Sequence, residues 1–150
     1  MTSSERQVKV QSKKGIEMKA VKIFAIVVLA YVALVAAFEI WLGYAQPQNE
    51  GTIVITTTDG DGEAHDRVVA RLESQNNVYI AVNHWPRAWY YRVLDYPNLQ
   101  VTYNDAVSDF TAVPVTGAEY DQVNSDNALP LFFRFLTGFP PRRILRLDPA

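Results

Sequence analysis

Twenty consecutive residues, Ile23 to Leu42, read IFAIVVLAYVALVAAFEIWL and carry one charge, Glu39, near the far end. A helix rises about 1.5 Å per residue, so the run reaches roughly 30 Å, the thickness of a bilayer's hydrocarbon core. A helix on the surface of a soluble domain interrupts such a run with polar residues every turn. From Ile23 to Phe38 the sole polar group is the Tyr31 hydroxyl. Trp41 and Tyr44 stand at the end of the run, where amphipathic rings favour the membrane–water interface. A secretory leader has an apolar stretch of about 7–15 residues and a small-x-small cleavage site. This stretch is longer, and Gly43-Tyr44-Ala45-Gln46-Pro47 is a poor cleavage site. The sequence therefore predicts one uncleaved transmembrane helix over residues 23–44.

Charge sets its direction. Residues 1–22 carry six basic and two acidic side chains, and no Lys or Arg follows the apolar run until Arg67. The positive-inside rule counts basic residues near the membrane ends. It places a basic tail, 1–22, in the cytoplasm, and a linker, 45–50, and a domain, 51–150, on the other side. In a bacterium this is the inner (cytoplasmic) membrane, with the domain in the periplasm. The lipid bilayer is the first expected partner. Glu39 is an unusual charge at membrane depth, and with Tyr31 it marks a place to look for a partner helix.

A domain of about 100 residues can bury a modest core. The chain has no cysteine, which excludes disulfides and thiolate ligands. After Tyr44 there are eight arginines and no lysine against thirteen acids, a net −5. Nucleic-acid binding needs phosphate neutralisation, so that partner class is excluded.

The β-branched Thr52–Thr58 reads as a strand, and Asp59-Gly60-Asp61-Gly62 as a tight hairpin turn. Residues 67–73 return, Gln75-Asn76-Asn77 turns again, and Val78–Val82 is a buried strand. Pro86 suits a helix start, with Ala88–Asp95 as two helical turns. Leu99–Asn104 alternates as a half-exposed strand, and Val107–Val115 follows, with Pro114 demoting its end to an edge. Thr116-Gly117-Ala118-Glu119 matches a capping box, and Asp126 is expected to cap a helix containing Leu129–Leu136. Gly138 with Pro140-Pro141 stops it, and residues 142–147 form the last strand. The class is α+β: a single N-terminal transmembrane helix, then a small split antiparallel β-barrel with flanking short helices.

Chemistry is sparse. His65 and His84 are the two histidines, without metal-ligand spacing, so no metal site is expected. The carboxylates of Asp59-Gly60-Asp61-Gly62 would repel a phosphate. The densest segment is Asn83-His84-Trp85-Pro86-Arg87-Ala88-Trp89-Tyr90-Tyr91-Arg92. Its aromatics and arginines at a strand-to-helix junction suit an anion at the helix start and a flat ring against the aromatics, or a helix that merely packs on the barrel.

Several segments, in order, carry a family resemblance. Ile55-Thr56-Thr57-Thr58 looks like a first strand entering a cofactor loop. Ala88-Trp89-Tyr90-Tyr91 with Asp95-Tyr96-Pro97 looks like an A-W-Y helix. Val115-Thr116-Gly117-Ala118-Glu119 resembles a V-T-G-E step, and Arg142 to Pro149 a closing strand. Together, Gly51–Ala150 resembles the deazaflavin-dependent nitroreductase/quinone reductase family of split β-barrels. The resemblance implies a deazaflavin (coenzyme F420) or FMN, with hydride transfer to a quinone or nitro compound. It implies cofactor contacts at Thr57, Thr58, Asn83, Trp85, Arg87, Trp89 and Tyr90. The family's loop after the first strand is basic; here it is Asp59-Gly60-Asp61-Gly62-Glu63. Where the family often has tyrosines near the C-terminal helix, this chain has Phe132, Phe133 and Phe135.

Those departures favour a barrel without a cofactor and without catalytic residues. It would be an accessory, stabilising subunit of a larger integral membrane complex of electron transfer, respiratory or photosynthetic. Tyr31, Glu39, Trp41 and Tyr44 would face membrane or partner helix. The alternative is a membrane-tethered deazaflavin- or flavin-dependent oxidoreductase.

Overall fold

Alternation shapes the first strand, β1 (Thr52–Thr58): Ile53, Ile55 and Thr57 are buried, and the residues between them are more open. This period of two is what a strand with one face on a core requires. In the computed structural model, which describes residues 3–46, 48–85 and 88–150 with side chains from Glu17 onward, five more strands follow. They are β2 (Ala64–Ser74), β3 (Asn77–Val82), β4 (Asn98–Tyr103), β5 (Ala106–Pro114) and β6 (Arg143–Pro149). All pairings are antiparallel, and the order β1-β2-β3-β6-β5-β4 closes into a barrel. Between the strands lie α2 (Ala88–Asp95), α3 (Gly117–Asp126) and α4 (Leu131–Leu136), and α1 (Ser3–Ala45) precedes them. The fold is the expected α+β barrel after an apolar helix.

The barrel interior holds Ile53, Ile55, Val69, Ile80, Val82, Leu99, Val101, Ala112, Leu145 and Leu147, and Trp89 and Val93 of α2 join them. A second cluster lies between α3 and the outside of β2, β3 and β6: Leu72, Tyr79, Ala81, Val115, Val123 and Ile144. Strand β3 is thus covered on both faces, which is why Val78–Val82 is apolar throughout.

Turn chemistry sets the registers. Gln75 and Asn76, and again Asn104 and Asp105, take left-handed backbone, as a two-residue hairpin turn demands. The β1–β2 connection is longer than the expected tight turn. Thr58 pairs with Ala64, Asp59 N–H donates to the Glu63 carbonyl, and Gly62 sits at φ +81°. Strand β2 accordingly begins at Ala64, three residues before the expected start.

Two local expectations are corrected. Thr116 is the N-cap of α3 but its side chain caps nothing, and the Glu119 carboxylate, which a capping box would turn back to the Thr116 N–H, accepts instead from the Arg146 guanidinium at 2.8 Å and the Tyr79 hydroxyl at 3.1 Å. Asp126 ends α3 instead of opening α4; its carboxylate accepts from Ser74 at 2.6 Å and Gln122 at 2.7 Å, and Pro130 precedes α4. Pro114 stands, as expected, where the end of β5 is an edge, open on the β4 side, although the strand itself lies between β4 and β6. Its missing N–H is accommodated where β5 has outrun β4, whose pairing stops at Thr111.

Contacts divide the chain into two units, Met1–Ala37 and Phe38–Ala150. The first is helix. Its apolar side chains are exposed around the axis, Ile23, Phe24, Ile26 and Leu29 among them. Residues 17–45 are long and apolar enough to cross a membrane. The second unit holds the last turns of α1 together with the barrel.

Candidate functional site

Strand β3 ends at Val82, and the segment Asn83–Trp85 leads toward α2. Here the last turns of α1 meet the barrel, with Glu39, marked in the sequence for contact with a partner helix, at the meeting point. The Glu39 carboxylate is buried. Its Oε1 accepts from the Trp85 backbone N–H at 3.4 Å, and its Oε2 lies 3.4 Å from Nδ1 of His84. Arg67 of β2 donates from Nη1 to the Gly43 carbonyl at 3.1 Å, placing a cation where a helix C-terminus presents unpaired carbonyls. The Val68 N–H donates to the Gln46 side-chain oxygen at 3.2 Å. Phe38 meets Phe133 of α4 edge-on, with centroids 6.1 Å apart. A cleft of about 180 Å³ remains, lined by Leu42, Gln46, Arg67, Asn83, His84, Trp89 and Phe133 among others.

Asn83 also borders a second cleft, of about 480 Å³, with Tyr120, Asn124, Arg134, Phe139 and Arg142. Arg142 is held on three sides: Nε donates to the Asn83 side-chain oxygen at 2.9 Å, and Nη1 to Asn124 Oδ1 at 3.0 Å and the Asn127 carbonyl at 2.7 Å. Burial pulls its proton affinity below that of a free arginine.

The residues that the family resemblance implies for a cofactor are distributed as follows. Thr57 is fully buried; its hydroxyl accepts from Arg92 Nε at 3.1 Å and donates to the His65 carbonyl at 3.3 Å. Thr58 is exposed at the end of β1. Trp89 is 4 % exposed and part of the barrel interior. Tyr90 packs against that interior, edge-on to Trp89 with centroids 6.1 Å apart. Trp85 is half-exposed, and Asn83 is tied to Arg142. Arg87 lies outside the described residues. Of these, Asn83 and Trp89 line one cleft together. Tyr31 lies in the first unit; Trp41 and Tyr44, near the end of α1, are exposed.

Among the described residues, the features that bear on a flavin or deazaflavin are a small cleft and an acidic turn. Small-molecule clefts run from about 300 to 1,000 Å³, and the Asn83–Trp89 cleft is well below that. At the β1–β2 turn, Asp59 Oδ1 accepts the N–H groups of Asp61 and Glu63, at 3.1 and 2.9 Å, and Oδ2 pairs with His65 Nε2 at 2.8 Å. The His65 hydrogen bond, helped by the backbone donors, holds the Asp59 carboxyl below the usual carboxylate range. The turn therefore presents negative charge to any phosphate. Ligand atoms of Asp59, Glu63 and His65 fall within 4.8 Å of one another. That grouping is not legible in the spacing, because the longer turn creates it.

No protein-family model and no curated protein matches the chain by sequence. Solved structures match it by fold. A heme storage protein, HutZ of Vibrio cholerae, superposes with a TM-score of 0.53 at 16 % identity, covering 69 % of this chain and 84 % of its own. A structure described as a domain-swapped dimer gives 0.54 at 20 %, covering 67 % and 82 %. An F420-H2 dependent reductase, FDR-A, gives 0.50 at 18 %, covering 67 % and 96 %. Identities this low speak for the fold alone, and what this chain shares with the reductase is a six-stranded split barrel.

Proposed function

We propose that this chain is a single-pass protein of the bacterial inner membrane, with its N-terminus in the cytoplasm and its barrel in the periplasm. There it serves as a non-catalytic accessory subunit of a larger membrane electron-transfer complex. The helix is supported by the apolar run, and its direction by the basic residues that precede it. One observation carries the loss of catalysis. Glu39, from the end of α1, is lodged against His84 and Trp85, beside the positions where the resemblance implies a flat ring. The acidic β1–β2 turn and the buried Trp89 point the same way.

A second reading, a tethered deazaflavin- or flavin-dependent oxidoreductase acting on a quinone or nitro compound, is favoured by the 480 Å³ cleft. Its Arg134 and Arg142 suit an acidic group. Absorbance titration of the detergent-solubilised full chain with deazaflavin and with FMN separates the two. Micromolar binding overturns the accessory reading. Stoichiometric co-purification with a membrane complex, without spectral change in either titration, supports it.

A further inference from the structure

Helix α4, LFFRFL, is apolar at five of its six positions, yet none of its residues is buried. Leu131 and Phe132 are each 71 % exposed, and Phe135 and Phe139 are close to half-exposed. A six-residue helix is marginal in isolation, so its composition answers to something it meets. The turn after it is unusual too. Phe139 takes left-handed backbone at φ +54°, a region that disfavours bulky residues, and its ring stays open beneath the Arg134 guanidinium, 5.6 Å from the ring centroid.

The position of α4 says what it meets. Phe133 packs on Phe38, which stacks on Trp41 with centroids 5.7 Å apart. Phe38 lies four residues inside the end of the apolar run, about 6 Å in depth at the helical rise. Interfacial helices bury their apolar face about 5–10 Å into the boundary between headgroups and acyl chains. Trp41 and Tyr44 are exposed near the end of α1, and Trp85, whose backbone N–H meets Glu39, is exposed as well. Residues 127–147 contain no acid, in a domain that is otherwise strongly acidic, and Arg134 lies among them within α4 itself. That charge suits lipid phosphates.

We infer that α4 and Phe139 form a second membrane contact, an aromatic lip that inserts into the lipid interface beside the point where α1 emerges. This deepens the membrane-anchored reading and rests on it. The lip would give the barrel a contact with the bilayer in addition to the helix.

The chain lacks cysteine, so single labels can be placed at will. Full-length Phe132→Cys, Val28→Cys and Asp61→Cys are labelled with an environment-sensitive fluorophore. Each is reconstituted into phosphatidylcholine–phosphatidylglycerol vesicles containing nitroxide-labelled lipid. The expected result is strong quenching at 28 and at 132, severalfold above that at 61, on the exposed β1–β2 turn. Quenching at 28 with position 132 no stronger than 61 overturns the lip and leaves the anchor standing. No quenching at 28 overturns the anchor and the lip together. Efficient disulfide cross-linking between copies of the unlabelled Phe132→Cys variant, with little lipid quenching at that position, shows that a second chain covers the face and also overturns the lip.

Discussion

Glu39 is where the chemistry of single residues tells most. A carboxylate in an apolar run is costly unless polar partners meet it, and here a backbone N–H donates to it and an imidazole nitrogen lies 3.4 Å away. Replacing Glu39 with alanine leaves both without that acceptor, and the barrel unit should lose about 1–3 kcal/mol, read as a lowered denaturant midpoint. An unchanged midpoint would mean that water serves these groups equally well. Two other carboxyls govern acid behaviour. Arg146 holds Asp148 below the usual carboxylate range, as His65 does Asp59. A lowered folded value stabilises above the ordinary carboxylate pKa of about 3.9 and is lost as pH falls through the lowered value. The contribution of these two carboxyls to thermal stability should therefore be complete above about pH 5 and fall away below about pH 4. The double variant Asp59→Asn, Asp148→Asn should shallow that fall; an identical acid limb counts against the assignment.

At the scale of elements, α2 works as a plug. Trp89 and Val93 close the barrel interior, and Arg92 reaches in to Thr57. Trp89→Ala should cost about 3–5 kcal/mol, as for other buried aromatics. A surface role for this tryptophan predicts a far smaller loss by chemical denaturation. Much of the element order is legible in the sequence. The β-branched and alternating runs give six strands, and Ala88–Asp95 emerges at its own bounds. The misread elements share a cause. Thr116 with Glu119, and Asp126 before an apolar run, satisfy local capping rules. Arg146 and Ser74 lie far along the chain and outcompete the local partners once the barrel forms. The meeting of Glu39 with Trp85 is likewise a tertiary fact, 46 residues apart.

For the whole molecule, the division at Ala37 has a practical meaning. The last turns of α1 belong with the barrel through Arg67, His84 and Val68. A chain shortened to begin at Phe38 should unfold cooperatively with the intact network. One shortened to begin at Gln46 loses the Gly43 and Glu39 contacts and should unfold at lower denaturant, by about 1–3 kcal/mol. Equal midpoints for the two would place these turns outside the barrel's stability. The overall class was legible because apolar run, charge asymmetry and strand spacing are each long-range averages. The candidate clefts were not, because their walls come from segments that only closure brings together.

Closure also imposes an order in time. Strand β6 lies between β3 and β5, which pair with each other nowhere along their lengths. As the chain is synthesised, five strands exist before residues 143–149 do. Until those residues arrive, the sheet is open, with two unpaired borders ready to add a foreign strand. The most vulnerable moment for this protein is therefore its own birth, and a holdase bound to β3 or β5 at that stage would protect it more than any contact made afterwards.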